Sequence, residues 1–180
     1  VFLQGPYSSG TMSTALRNNG YVPLNQPYNV APFNYNGAEA VDTLPTGIVD
    51  WVLLELRSDL TTQVNRRAAF LKSDGSLVDL DGVSRVKFPT VTPGDYYVVI
   101  RHRNHLSVMT ANKITLSNSP ALYNMSTDLS KAYGTDAMKD LGGVFGMWMG
   151  DVNSDGIVKY NLGSNDRLLI YNRIGNAGFN

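Results

Sequence analysis

Ile48-Val-Asp-Trp51-Val-Leu-Leu-Glu55-Leu-Arg57 is the stretch on which the fold turns. Val52, Leu54 and Leu56 alternate with Trp51, Leu53, Glu55 and Arg57. Both faces of the extended chain therefore carry apolar side chains, and such a strand belongs at the centre of a sheet. Glu55, set in this apolar run, reads as a buried, paired carboxylate rather than a general base. Short strands follow on the C-terminal side. Ala68–Lys72 and Leu77–Leu80 flank Ser73-Asp74-Gly75-Ser76, a hairpin signal. Arg85–Phe88 and Tyr96–His102 flank the turn Thr92-Pro93-Gly94-Asp95. Leu106–Met109, Lys113–Leu116 and a weaker Ala121–Met125 complete the series. Tyr96 and Tyr97 fall on opposite sides of their strand, one toward the core and one toward solvent.

On the N-terminal side, a strand is expected near Val1–Gln4 and a second near Met12–Arg17. A long ordered loop rich in Pro, Asn, Tyr and Gly then runs to about residue 46, where regular helix is excluded. Strands spaced by roughly 8 to 12 residues predict an all-β fold, an antiparallel β-sandwich of Ig-like or jelly-roll-like type, over residues 1–126. Composition agrees. The chain has 13 Asp but only two Glu, Glu39 and Glu55, beside 17 Asn and 17 Gly. Asp, Asn and Gly favour turns and caps, whereas Glu favours helix interiors.

The 180 residues carry 15 basic and 15 acidic side chains, with no basic run longer than Arg66-Arg67. This balance disfavours nucleic acid or an anionic membrane as partner. No apolar stretch approaches the roughly 20 residues of a membrane helix. Cysteine is absent, which excludes disulfides, a thiol nucleophile and zinc–thiolate sites. Val1-Phe-Leu-Gln-Gly-Pro6 lacks the charged and apolar regions of a signal peptide, and the chain reads as part of something longer.

Beyond residue 127 the texture changes. Residues 127–150 are expected to form a linker, with a helical turn or irregular segment near 128–133, that packs its Phe, Met and Trp side chains onto the sandwich. Residues 151–180 hold the one specific motif. Asp151-Val-Asn153-Ser-Asp155-Gly156-Ile157-Val158 matches the opening of a calcium loop. Oxygens at positions one, three and five converge on one ion, Gly156 permits the sharp turn, and Ile157 offers its carbonyl. Val158 is expected to face the core. Position twelve is Leu162, which has no ligating side chain. The next acid, Asp166, opens a helix expected over 165–175 with Gly175 as its stop. The expected calcium set is therefore Asp151, Asn153, Asp155, the Ile157 carbonyl and Asp166, across a four-residue insertion. Asn161 and Asn165 are the alternatives for the closing position.

Other constellations are weaker. Tyr28, Phe33 and Tyr35 in the long loop offer rings for sugar stacking beside amide side chains, or else pin the loop to the body. His102-Arg103-Asn104-His105 holds the only histidines; in a strand-to-loop context they are expected on different faces. The plainer expectation for this segment is a polar strand end in which Arg101 or Arg103 pairs with Glu55 or bonds a loop. There is no G-x-S-x-G, H-E-x-x-H or P-loop.

The Asp151–Val158 motif followed by a short apolar helix resembles one half of a dockerin repeat; dockerins carry two such units. Lys159-Tyr-Asn161 ahead of Asn165-Asp-Arg167 is similar to C-terminal segments of large secreted proteins of Bacteroidetes-type bacteria. There a β-rich module containing segments like Gly20–Tyr28, Val49–Arg57 and Val99–Leu106 precedes the calcium repeats. The resemblance implies a non-catalytic binding or assembly module with structural Ca2+. It would belong to a secreted or cell-surface multimodular protein, be monomeric by itself, and meet a polysaccharide or protein partner. A carbohydrate-binding module using the aromatic loop, and a hydrolase whose carboxylates meet only in the fold, are the alternatives.

Overall fold

A computed structural model describes residues 1–161, 163 and 165–175. Leu162, the twelfth loop position, and 176–180 of the expected C-terminal unit lie outside the described residues. The elements in chain order are β1 (Phe2–Leu3), β2 (Tyr7–Ser8), β3 (Thr11–Met12), α1 (Ala15–Asn18), β4 (Ile48–Arg57), β5 (Gln63–Lys72) and β6 (Leu77–Val78). Then come β7 (Gly94–His102), β8 (His105–Met109), β9 (Ile114–Leu116), β10 (Lys139–Asp140), β11 (Phe145–Met147) and α2 (Asp166–Ile174). Short 3-10 turns occupy Met125–Thr127 and Leu129–Lys131. The chain is all-β in character, built on antiparallel sheets.

β4 is central, as its two apolar faces predict. It pairs with β5 on one side and β7 on the other, in a six-stranded sheet ordered β6-β5-β4-β7-β8, with β9 also on β7. The register follows the period of two. Val52 and Leu54 share a face with Ala69, Leu71, Ile100 and Val108. Trp51 and Leu53 share the other with Ala68 and Phe70. The first face is covered by Phe2, Leu3 and Met147 of a small sheet ordered β1-β11-β10, joined by Met12, Met125 and Met138. The second is covered by the long loop, through Val22, Tyr28, Phe33, Tyr35, Val41 and Leu44. Glu55 is buried and bonded to Arg57 and Arg101, as its place in an apolar strand requires.

Three sequence expectations are corrected. Strand at Met12–Arg17 stops at Met12, and Ala15–Asn18 is helical. There the Asn18 and Asn19 side chains bond back to Thr14 and Ala15, favouring a local turn over a ladder. Arg85–Phe88 forms no strand: Asp81 accepts from the Val83 and Ser84 amides, and Asp79 accepts from the Lys87 amide. Ala121–Met125 is likewise irregular and ends in the 3-10 turn. Within 127–150, Met138 and Met147 are buried and Phe145 packs against them, whereas Met149 and Tyr133 are exposed. The segment also supplies two strands, and β11 lies parallel to β1 with Phe2 opposite Gly146.

Candidate functional site

The Asp151 loop is built from turns that short oxygen side chains make. Asn153 Oδ1 accepts from the Asp155 amide at 2.9 Å, and Asp155 Oδ1 accepts from the Ile157 amide at 2.9 Å. Asp151 Oδ2 accepts from the Gly156 amide at 3.1 Å, closing the ring across the loop. Gly156 has φ +83° and Ser154 has φ +57°; glycine takes such a conformation without strain, and serine does not.

Asp166 reaches this loop from the first turn of α2. Its Oδ1 accepts from Val152 at 2.7 Å and Asn153 at 3.3 Å, and its Oδ2 accepts from Lys159 at 3.0 Å. Asn165 caps the helix by accepting from the Leu168 amide at 2.8 Å. A carboxylate in the first turn also complements the helix dipole. The structure thus brings Asp151, Asn153, Asp155, Ile157 and Asp166 into one loop–helix junction despite the insertion. Gly175, with φ +66°, ends α2.

Electrostatics separate the two buried acids. Asp166 is held below the ordinary carboxylate range: burial opposes this, but its three amide donors outweigh it. Asp151 is pushed upward by burial, and further by the Asp166 and Asp155 carboxylates. Asp151 is only 2% exposed, and its Oδ1 is buried without a hydrogen-bond partner among the described residues. A buried carboxylate oxygen near two other carboxylates is costly unless a cation compensates. Among the described residues no three His, Asp or Glu side chains converge closely enough by themselves to hold a metal. Two of the five expected ligands are instead an amide and a backbone carbonyl. The Asn153 Nδ2 contact to Asp155 Oδ2, 3.0 Å, is one that an ion would replace. On the orphaned Asp151 oxygen and this all-oxygen donor set, the residues fit calcium.

Val158 does not face the core as expected: it is 47% exposed. It closes instead on Gly150, where any β-carbon would lie 2.9 Å from Val158 Cγ1. Leu168, Leu169, Ile170 and Ile174 of α2 are also exposed.

The aromatic loop forms no stacking platform. Tyr28 is fully buried, with its hydroxyl donating to the Trp51 carbonyl at 2.8 Å. Phe33 meets it edge-on at 83°, not coplanar. Tyr35, half-buried, donates to Glu39 at 2.6 Å and lies under the Arg66 guanidinium. Of the two readings, stacking and pinning, the rings follow the second: they fasten the loop over Trp51 and Phe70, because Pro- and Asn-rich backbone without a ladder needs side-chain anchors.

The histidines form a cluster that periodicity alone misses. His102 and His105 are paired residues flanking a two-residue hairpin turn, Arg103-Asn104. Paired positions share a face, and the rings meet edge-to-face at 4.8 Å rather than on different faces. Asp50, at a register shift in β4, anchors the cluster. One Arg103 Nη2 contacts its two oxygens at 2.6 and 2.7 Å, and His102 Nε2 lies 3.2 Å from Oδ2. Burial works against the Asp50 carboxylate, but its hydrogen bonds with His102 and Arg103 hold it below its usual range. The hairpin signal was available in the spacing of the histidines; the partnership with Asp50 was not.

Comparison with protein-family models, curated proteins and solved structures finds no match for this chain. Among the described residues, no helix is long and apolar enough to cross a membrane.

Proposed function

We propose that the chain is a non-catalytic β-sandwich module with a dockerin-like calcium loop–helix, serving binding or assembly in a secreted or cell-surface multimodular protein. The observation that carries the reading is the buried Asp151 Oδ1, without a partner among the described residues and near the Asp155 and Asp166 carboxylates. One Ca2+ ligated by Asp151, Asn153, Asp155, the Ile157 carbonyl and Asp166 would compensate that charge. The ion is structural: it fixes α2 against the β body. The exposed apolar side chains of α2 support the assembly half of the reading, since such surface marks contact sites.

The test is calorimetric titration of the chelator-stripped chain with Ca2+, with Mg2+ as control. Binding of one Ca2+ per chain, accompanied by a rise in melting temperature, is expected. Absence of Ca2+ binding by the folded chain sinks the reading and leaves the motif an Asp/Asn/Gly turn.

A further inference from the structure

The calcium loop does not stand alone against the sheet; it rests on the Arg103-Asn104 hairpin turn. Ser154 Oγ donates to the Arg103 carbonyl at 3.2 Å. The Gly150 amide donates to the Asn104 carbonyl at 2.9 Å. These two contacts bracket the first half of the loop: Gly150 precedes Asp151, and Ser154 stands between Asn153 and Asp155. Bridging of His105 with Met149 and of the Leu106 amide with the Trp148 carbonyl extends the seam toward the strand before the loop.

The turn is itself held from the sheet side. Arg103 ends on Asp50, which is buried in β4. Asp50 Oδ1 also accepts from the Trp51 amide at 2.8 Å, so the anchor is tied to the most buried strand of the fold. A chain of short contacts therefore runs from β4 through Asp50, Arg103 and Ser154 to the backbone that aims two expected ligands. Ser154 holds φ +57°, a conformation that is unfavourable for a non-glycine residue and persists where surroundings enforce it.

We propose that Arg103 and Ser154 are positioning residues for the calcium loop, with the Asp50–Arg103 pair fixing the turn on which Ser154 sets the spacing of Asn153 and Asp155. This rests on the calcium reading above and goes beyond it by placing part of the ion's affinity on residues that do not ligate it. With the turn fixed, the loop meets Ca2+ already ordered, and less of the binding free energy goes into ordering it. Without it, the ligands must be ordered as the ion binds. Ion and turn are coupled reciprocally, so Ca2+ also steadies the Arg103-Asn104 hairpin.

The test uses the full chain and four variants: Arg103→Met, Arg103→Lys, Ser154→Ala and the Arg103→Met/Ser154→Ala double. Arg103→Met and Ser154→Ala are each expected to weaken Ca2+ binding in calorimetry about tenfold, the scale of supporting residues outside a ligand set. Arg103→Lys restores a cation to Asp50 and most of the affinity. The double variant is no weaker than Arg103→Met alone by more than about twofold, because both changes cut one line of contacts. In Ca2+-free protein, the Ile157 amide, which donates to Asp155, exchanges faster with solvent in Ser154→Ala than in the unaltered chain. Ser154 lies outside the core, so this variant carries the test should Arg103→Met fail to fold. Should the unaltered chain bind Ca2+ while Ser154→Ala binds as tightly and exchanges no faster, the inference is overturned and the calcium reading stands. Multiplicative losses in the double variant overturn it as well. Should the unaltered chain bind no Ca2+, the calcium reading itself falls.

Discussion

The Nδ1 atoms of His102 and His105 face each other at 3.1 Å, and one proton serves both. His102 turns its Nε2 toward Asp50, and its Nδ1 accepts from the Asn104 amide at 3.5 Å. His105 then donates from Nδ1, shared with Asn104 Oδ1 at 2.7 Å. Its Nε2 is buried with no partner among the described residues. A second proton on this pair would set two N–H groups against each other.

That geometry makes the fold acid-sensitive. Burial, ahead of every other cause, depresses His105 to about 3. Unfolded histidine titrates near 6.5. Between those values the unfolded chain binds a proton that the folded chain refuses. Stability is therefore full above about pH 6.5 and declines as pH falls, by at most roughly 1.4 kcal/mol per pH unit from this residue. Urea unfolding at pH 7.5, 6 and 5 checks it. His105→Gln should unfold with a flatter pH dependence across that range; an unchanged slope would place the acid sensitivity elsewhere.

For calcium, the linkage runs the other way. Ca2+ at about one hundred times its Kd should stabilise the chain by roughly 2.7 kcal/mol, and chelator should remove that gain. Asp155→Ala should abolish the gain without lowering the chelated baseline much, since the side chain is exposed. Asp166→Ala should abolish it and also lower the baseline, because three backbone amides lose their acceptor. Melting curves with and without chelator separate the two effects. Calcium affinity unchanged in Asp166→Ala would transfer the closing position to Asn161 or Asn165.

Tyr28→Phe isolates the hydroxyl that ties the long loop to the Trp51 carbonyl. The ring remains to fill its site, so the loss should be about 1 kcal/mol, that of one buried hydrogen bond. Denaturant midpoints at constant m-value measure it. A neutral outcome would show that the ring's packing alone fastens the loop.

Gly146→Ala probes the seam between β1 and β11. A β-carbon there would lie 2.6 Å from Leu141 Cδ1 and 2.9 Å from the Phe2 carbonyl oxygen. Leu141 can rotate, but the carbonyl belongs to the neighbouring strand. A destabilisation of about 1–3 kcal/mol is expected, in the range of overpacked sites. Hydrogen exchange should locate the loosening at the Gln4 amide, which donates to the Met147 carbonyl; wild-type protection there would contradict the steric argument.

What the sequence disclosed follows the reach of each signal. β4 was legible because its two apolar faces lie within ten consecutive residues, and α2 because Asn165 and Gly175 bracket it locally. The junction of Asp166 with the Asp151 loop was legible through ligand spacing across a short insertion. The β1–β11 pairing was not, because two- and three-residue strands leave no periodicity to read. Nor was the Asp50 anchor: Asp50 meets Arg103 only because β4 and β7 pair antiparallel, and no local pattern announces a long-range register. The aromatic loop left stacking and pinning both open, for another reason. Tyr28 between Pro27 and Asn29 looks exposed by its neighbours' polarity, yet its own ring is what the bare face of the sheet lacks.

The parallel pairing of β1 with β11 also dictates a schedule. Gln4 meets the Met149 amide across 145 positions of chain, so the β1 segment has no strand partner until the chain as far as β11 has been made. Phe2 and Leu3 must wait, apolar and uncovered, while the β4–β5 and β7–β8 hairpins assemble from neighbouring segments. Closing so long a loop comes late and slowly compared with hairpin formation. The seam that finishes the first face of the sheet is therefore expected to be the last to set. It is also the first place where a stalled or truncated chain would offer a sticky surface to other chains.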